Sequence, residues 1–350
     1  MSKSVIVGMS GGVDSSASAA LLKKEGYRVV GVTMKLWNGE QADGGCCSFS
    51  AIDDAKKVAH TLGIEHYVLD FEKEFEHNVV KYFINEYKCG RTPNPCVQCN
   101  KHIKFDGLLQ FADELGIDYI ATGHYAKTEA KDGRQLLVRP EDRRKDQTYF
   151  LYNMTQEQLK RTLFPLYGVT KDETRRIAQE IGLEVAEKPD SQDICFIPDG
   201  DYVKFITWRD GNMPEGNFTD IDGNVLGRHK GLMNYTIGQR KGLGIALNRP
   251  MYVTKIDPDE NTVVLGPDGS QLRNELYAHS INMIAFDEIK APFECTAKIR
   301  YNAPDVSCTV YPAENGFKVE FKQPQKSVTP GQMVVLYDNN IVIGGGIISV

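Results

Sequence analysis

The segment TPNPCVQCNK, residues 92–101, places Cys96 and Cys99 three positions apart behind two prolines. A pair so spaced supports four chemistries: a half-set of zinc ligands, a redox disulfide, an anchor for an iron–sulfur cluster, or a thiolate nucleophile with a neighbour. A structural zinc site needs four ligands, and the flanks of Cys46, Cys47 and Cys89 form no second knuckle of this type. Another cysteine, Cys195, stands in KPDSQDICFIPDG (188–200). Between Ile194 and Phe196 an isolated cysteine is more often buried filler. Alternatively it is the distant partner of Cys99, one thiol carrying a transferable sulfur and the other releasing it by forming a disulfide.

A second constellation lies at the N-terminus. VIVGMS (5–10) reads as a short apolar strand and runs into SGGVDS (10–15), which opens a helix. Glycines let the backbone approach a ligand closely, and the first N–H groups of a helix favour an anion. The spacing is neither the dinucleotide fingerprint nor a Walker A loop, because no lysine precedes the serine. The plain reading is a tight strand–helix turn capped by Asp14 or Ser15.

Alternating strands and helices must position these groups. SSASAALLKKEG (15–26), AIDDAKKVAHTLG (51–63), FEHNVVKYFINEYKCG (75–90) and FDGLLQFADELG (105–116) have helical spacing. YRVVGVTMKLW (27–37), EHYVLDF (65–71) and IDYIATGHYA (117–126) read as strands, the last running into a loop. This order predicts a parallel sheet covered on both faces, a Rossmann-like α/β domain. From about residue 208 short β-rich segments between Gly, Pro, Asn and Asp turns take over, predicting a C-terminal β-barrel or sandwich. The expected domains are 1–207, a small mixed central module 208–275, and 276–350.

The chain's 350 residues exceed one ordinary core, in keeping with several domains. Hydrophobic residues at 41% and charged residues at 25% are the balance of a soluble globular chain. MSKSVIVGMSGG contains no signal-peptide core, so the expected compartment is the cytoplasm, where eight cysteines serve as thiols, ligands or catalysts rather than structural disulfides. A net charge of −6 argues against a broadly basic nucleic-acid binder, but not against a local patch. Arg139, Arg143, Arg144 and Lys145 form either such a patch or a solvated loop.

SGGVDS at the end of a first strand resembles the PP-loop of the adenine-nucleotide α-hydrolase-like enzymes. These cleave ATP between its α and β phosphates, adenylate an oxygen and release pyrophosphate. The resemblance implies that Gly8, Met9, Ser10, Gly11, Gly12, Val13, Asp14 and Ser15 hold the phosphates, that Met34 and Gly123 line the adenine side, and that Asp14 helps to hold Mg2+. Taken with TPNPCVQCNKHIKF, ATGHYA (121–126), KDQTYFL (145–151), DSQDICFI, NYTIGQRKGLG (234–244), AKIRY (297–301) and TPGQ (329–332), the chain resembles the tRNA-specific 2-thiouridylases over nearly its full length.

That resemblance implies ATP-dependent sulfur transfer to C2 of the wobble uridine, position 34, of the tRNAs for lysine, glutamate and glutamine. Cys99 takes the place of the catalytic cysteine, and Cys195 that of the persulfide carrier loaded by a cysteine desulfurase or sulfur relay protein. Asn94, Pro95 and Cys96 border the target base, and His124, Lys145, Asp146, Gln147, Arg300, Tyr301 and Gln332 match tRNA-contacting positions. Many family members have aspartate where this chain has Cys96. A thiol is no equivalent acid or base, since the reference pKa values are about 8.5 and 3.9. Cys96 then reads as a tolerated small residue beside the base, or as the third ligand, with Cys99 and Cys195, of a 4Fe-4S cluster. Two rivals remain: a nitrogen-transferring PP-loop ligase acting on a small molecule, and a non-catalytic tRNA- or nucleotide-binding protein. The sequence assigns no role to Cys46, Cys47, Cys295 or Cys308.

Overall fold

The structure, a computed structural model, describes residues 3–37, 49–187, 194–197 and 199–349. Cys46, Cys47 and the residues 188–193 ahead of Cys195 lie outside them. Along the chain come β1 (Ser4–Gly8), α1 (Val13–Lys24), β2 (Arg28–Lys35), α2 (Phe49–Leu62), β3 (Glu65–Asp70), α3 (Glu72–Phe75), α4 (Lys81–Lys88), α5 (Pro95–Cys99) and α6 (Phe105–Leu115). They are followed by β4 (Tyr119–Ala121), β5 (Lys127–Lys131), β6 (Arg134–Val138), α7 (Gln156–Arg161), β7 (Thr162–Leu163), α8 (Lys171–Glu180) and α9 (Tyr202–Asp210). The remainder is β-structure: β8 (Gly216–Asp220), β9 (Val225–His229), β10 (Tyr252–Asp257), β11 (Thr262–Gly266), β12 (Leu272–Met283), β13 (Phe293–Lys298), β14 (Val306–Ala313), β15 (Gly316–Lys326), β16 (Met333–Asp338) and β17 (Ile341–Ser349). No helix among the described residues is long and apolar enough to cross a membrane.

The chain divides into two compact units, Met1–Val80 with Cys96–Gly200 and Asn340–Val342, and Lys81–Pro95 with Asp201–Asn339 and Ile343–Val350. The first unit is built on a parallel sheet of order β3-β2-β1-β4-β7. Its central strand carries Val5, Ile6 and Val7, all fully buried, as a strand covered on both faces requires. Helix α1 is buried almost all round because it is built of Ser and Ala, whose small side chains permit close packing on sheet and helix alike. The alternation of strand and helix signals predicted this layer.

Local signals explain what the periodicity missed. Residues 76–80 form one π-helical turn that splits the expected helix 75–90 into α3 and α4. The segment DGRQLLVRPEDRRK, expected as loop, begins with an Asp-Gly hairpin turn: Asp132 and Gly133 both adopt positive φ and join β5 to β6. Helices α7 and α8 start at Thr155 and Thr170, each closing a capping box with Gln158 or Glu173.

The second unit holds two β-structures. A four-stranded sheet of order β10-β11-β8-β9 buries Phe218, Leu232, Tyr235, Val253, Val263 and Leu265. Strands β12-β15-β14-β13-β16-β17 close through the pairing of β12 with β17 into a six-stranded barrel, which leaves no free edge. Phe218 is fully buried, edge-on to Tyr235 at 5.0 Å and to His229 at 5.7 Å. Phe218→Ala is expected to lower the stability of this unit by about 3–5 kcal/mol. Urea unfolding followed by tyrosine fluorescence checks it; a loss below about 1 kcal/mol would show that the small sheet is not held by this core.

Candidate functional site

The phosphate-loop residues lie at the carboxyl ends of the central strands. Gly8 ends β1, and Gly12 is the N-cap of α1, with no side chain closing the helix N-terminus. Gly11 has φ +67°, and a Cβ there would meet the Ala51 carbonyl oxygen at 2.2 Å, so only glycine lets the loop turn under α2. Ser15 Oγ holds the loop from inside, accepting from the Ser10 N–H at 3.2 Å and donating to the Gly12 carbonyl at 3.1 Å. Val13 and Met9 are buried beneath it. A Cβ on Gly123 would stand 2.7 Å from the Ser15 nitrogen, so the loop after β4 packs directly on the first turn of α1. Met34, at the end of β2, lies against Gly107 at the start of α6. The strand ends of an open α/β sheet therefore converge here, where such sheets bind ligands.

The Asp14 carboxylate is engaged by protein. Lys171 Nζ donates to its two oxygens at 2.7 and 2.8 Å, and the Tyr125 hydroxyl donates to Oδ1 at 3.0 Å. Tyr125 is almost wholly buried, and its hydroxyl also lies 2.9 Å from Thr174 Oγ1 on α8. Through these contacts the Asp14 carboxylate ties α1 to α8. The backbone of Tyr125 pairs in turn with Gln147: Tyr125 N–H donates to Gln147 Oε1 at 2.9 Å, and Gln147 N–H to the Tyr125 carbonyl at 3.2 Å. One network therefore joins the phosphate loop to the KDQTYFL segment.

Three cations of the basic patch have partners within the protein, two of them at its surface. Arg139, nearly buried, pairs with Asp146 at 3.2 Å; Arg144 forks onto Asp142 at 2.9 and 3.0 Å; Arg143 bonds Asn340. Asp146 also accepts from the Thr148 N–H and hydroxyl at 2.9 and 2.6 Å, which makes it a buried turn former. Of these four cations Arg139 is enclosed, while Arg143 and Arg144 stay exposed on a braced turn beside Lys145.

Cys99 is 6% exposed and Cys96 is exposed. The short helix α5 that carries both, with the residue after it, is clasped from the KDQTYFL segment and just beyond: Asn153 Nδ2 donates to the Val97 carbonyl at 3.2 Å and Asn100 Nδ2 to the Phe150 carbonyl at 3.0 Å. Residues 100–104 then form a π-helical turn, a distortion often found at functional sites. Cys195 is half-buried, and its neighbour Phe196 packs edge-on to Phe75 of α3 at 5.6 Å. Helix α3 itself packs against the turn that follows Cys99. Among the described residues no group of three or more His, Cys, Asp or Glu gathers closely enough to hold a metal ion. Of the three cysteines in the cluster reading, Cys96 is exposed, Cys99 enclosed and Cys195 half-buried.

Of the other expected tRNA contacts, Gln332 and Arg300 support turns in the second unit. Gln332 Nε2 donates to the Thr92 carbonyl at 2.9 Å, just ahead of Asn94 and Pro95, and the Thr92 N–H donates to the Pro330 carbonyl at 2.9 Å. Arg300 donates to the Ser327 carbonyl and to Thr329 Oγ1. Tyr301 follows with the Lys298 ammonium 5.8 Å from its ring centroid. Sequence reasoning assigned nothing to Tyr125, Lys171, Asn100 or Asn153. Tyr125 stood inside the ATGHYA motif, and the TKDE capping box marked the helix that begins with Lys171.

His124 shares the site. Its Nδ1 lies 2.8 Å from Thr122 Oγ1, and its ring lies 6.1 Å from that of Phe105. Burial first, then the charge of Lys104, pushes its pKa down to about 3. The ring is thus neutral near pH 7 and offers a base a hydrogen bond or a stacking face rather than a charge for phosphate. Because the unfolded imidazole binds its proton first, near pH 6.5, the associated stability is complete above about 6.5 and is lost as pH falls toward 3. NMR titration of the His124 ring protons should show the neutral form down to pH 5. A midpoint near 6.5 would show that the ring is open to water.

Three family descriptions match the chain: the tRNA methyl transferase HUP domain over residues 3–199, the tRNA methyl transferase PRC-barrel domain over 204–267 and the aminomethyltransferase beta-barrel domain over 273–348. A tRNA-specific 2-thiouridylase MnmA from Clostridium perfringens is 54% identical over 99% of this chain and 98% of its own. The same-named protein of a Clostridium botulinum strain is 53% identical over 99% and 98%, and that of Acetivibrio thermocellus 52% identical over 99% of both. With more than half of its residues shared across the whole of both chains, the protein belongs to the tRNA-specific 2-thiouridylase family.

Proposed function

We propose that the protein thiolates C2 of the wobble uridine, position 34, of tRNA, using ATP and releasing AMP and pyrophosphate, with Cys195 as persulfide carrier and Cys99 as catalytic cysteine. One observation carries this reading: an uncapped helix N-terminus at a glycine loop and an enclosed thiol at Cys99 are braced by neighbouring parts of one segment, residues 147–153. An anion site and a protected sulfur nucleophile held by one segment suit adenylation followed by sulfur transfer.

The N–H groups at the start of α1 receive the triphosphate, helped by the helix dipole. The uridine O2 attacks the α-phosphorus and pyrophosphate leaves, turning a poor leaving oxide into AMP. An anticodon-loop base is splayed out at small cost, so it can reach an enclosed site. A cysteine desulfurase or sulfur relay protein places sulfur on Cys195 as Cys–S–SH. The terminal sulfur adds to C2, AMP departs, and the Cys99 thiolate attacks Cys195 Sγ; the S–S bond breaks and C2=S remains. Alternatively Cys99 attacks the persulfide first and the released hydrosulfide adds to C2. Either route ends in a Cys99–Cys195 disulfide that a reductant must open. The tRNAs for lysine, glutamate and glutamine are the proposed substrates. Mg2+ would accompany ATP in this chemistry, and Asp14, whose carboxylate pairs with Lys171, would help to hold it.

Incubation with ATP, a persulfide donor and unmodified tRNA should yield 2-thiouridine and AMP in equal amounts; AMP without thiolated base would favour the nitrogen-transferring alternative. Cys99→Ser and Cys195→Ser should each abolish thiolation, since a hydroxyl neither carries sulfur nor attacks comparably at neutral pH. Cys96→Asp should keep it, and loss of activity together with bound iron in that variant would revive the cluster. Ser10→Ala and Asp14→Asn should slow AMP formation by roughly a hundredfold through a displaced loop while leaving tRNA affinity within a few-fold. Wild-type rates in both would remove the loop from the ATP site.

A further inference from the structure

Two cysteines that the proposed reaction does not use stand face to face in the barrel. Cys295 of β13 and Cys308 of β14 are directly opposed in the antiparallel register, and their sulfurs lie 3.6 Å apart. Cys308 is fully enclosed, and Cys295 is half-buried against the barrel core. We propose that this pair is a second dithiol site, distinct from Cys99 and Cys195, which a small organic disulfide converts into a Cys295–Cys308 disulfide.

The geometry asks for little movement. A disulfide bond is about 2.05 Å long, so the sulfurs need to approach by about 1.5 Å, and directly opposed strand residues already hold their Cβ atoms near the required spacing. The reaction runs by two exchanges. Cys295, the reachable thiol, loses its proton and attacks RS–SR, expelling RS− and leaving a mixed disulfide. Cys308 then loses its proton and attacks the Cys295 sulfur, expelling the second RS−. The protein gives up two electrons and two protons, and the oxidant leaves as two RSH. The hydrogen bond to Cys308, and then burial, raise the Cys295 thiol above its ordinary range, so thiolate is scarce and exchange is slow near pH 7. The site thus stays reduced through brief oxidation and closes under sustained oxidation. The ring closed over residues 295–308 would enclose the loop that carries Arg300 and Tyr301. As mere filler the pair would pack as two small apolar groups and resist oxidation.

The test uses the full-length reduced protein, incubated with excess hydroxyethyl disulfide, denatured, alkylated with N-ethylmaleimide, digested and weighed. A Cys295–Cys308 linked peptide, two hydrogens lighter than the reduced pair and reopened by dithiothreitol, is expected. Cys308→Val, of similar volume, should lose the link. The linked protein should melt several degrees higher than the reduced form, because the unfolded chain is constrained. Full alkylation of both cysteines, in a sample whose exposed Cys89 has been oxidised, would overturn the proposal. A link from Cys295 to any other cysteine would also overturn it.

Discussion

An anion-binding helix start has to be left open and yet held in place, and the pairing of Asp14 with Lys171 meets both needs. A side-chain cap on α1 would occupy the N–H groups that the proposed phosphate site offers. This chain leaves the cap position to Gly12 and anchors the helix one step further in, through Asp14. A lone carboxylate there would repel phosphate. Lys171, with its side chain 10% exposed, cancels that charge, and the Tyr125 hydroxyl adds a third hydrogen bond. Removing either ion would leave the other partly enclosed and uncompensated, which costs far more than breaking a pair in water.

From that point the brace extends outward by contact. Tyr125 hands it to Gln147 through paired backbone and side-chain bonds, and the residues beyond Gln147 grip α5 by way of Asn153 and the Phe150 carbonyl. The enclosure of Cys99 follows from this clasp. A thiol so held is shielded from stray oxidants, whereas Cys96 on the same short helix stays on the surface. In the second unit the TPGQ turn does a comparable job: Gly331 adopts φ +88° with the Thr92 nitrogen 3.0 Å from where a Cβ would stand, so the turn seats itself against the extended segment leading to Asn94 and Pro95.

Much of this was legible in the amino-acid order alone. Apolar runs of four to eight residues alternating with 3.6-residue periodicity determine a covered parallel sheet, because each pattern can bury its apolar face in only one kind of layer. Glycine loops, helix stops and the turn-rich C-terminal texture are equally local. So are the Asp-Gly hairpin at 132–133 and the capping boxes at 155 and 170, which were present as signals and were passed over. What the tertiary structure alone decided is which charges and thiols meet. Arg139, Arg143 and Arg144 look like a cationic patch in one dimension, and folding turns them onto Asp146, Asn340 and Asp142. Asp14 finds a lysine at position 171, and Cys295 finds Cys308 only because β13 and β14 pair in that register and no other. Spacing along a chain reports the faces of single elements. Partners brought together from distant positions depend on strand register and helix packing, which are set by burial of the whole core and carry no local mark.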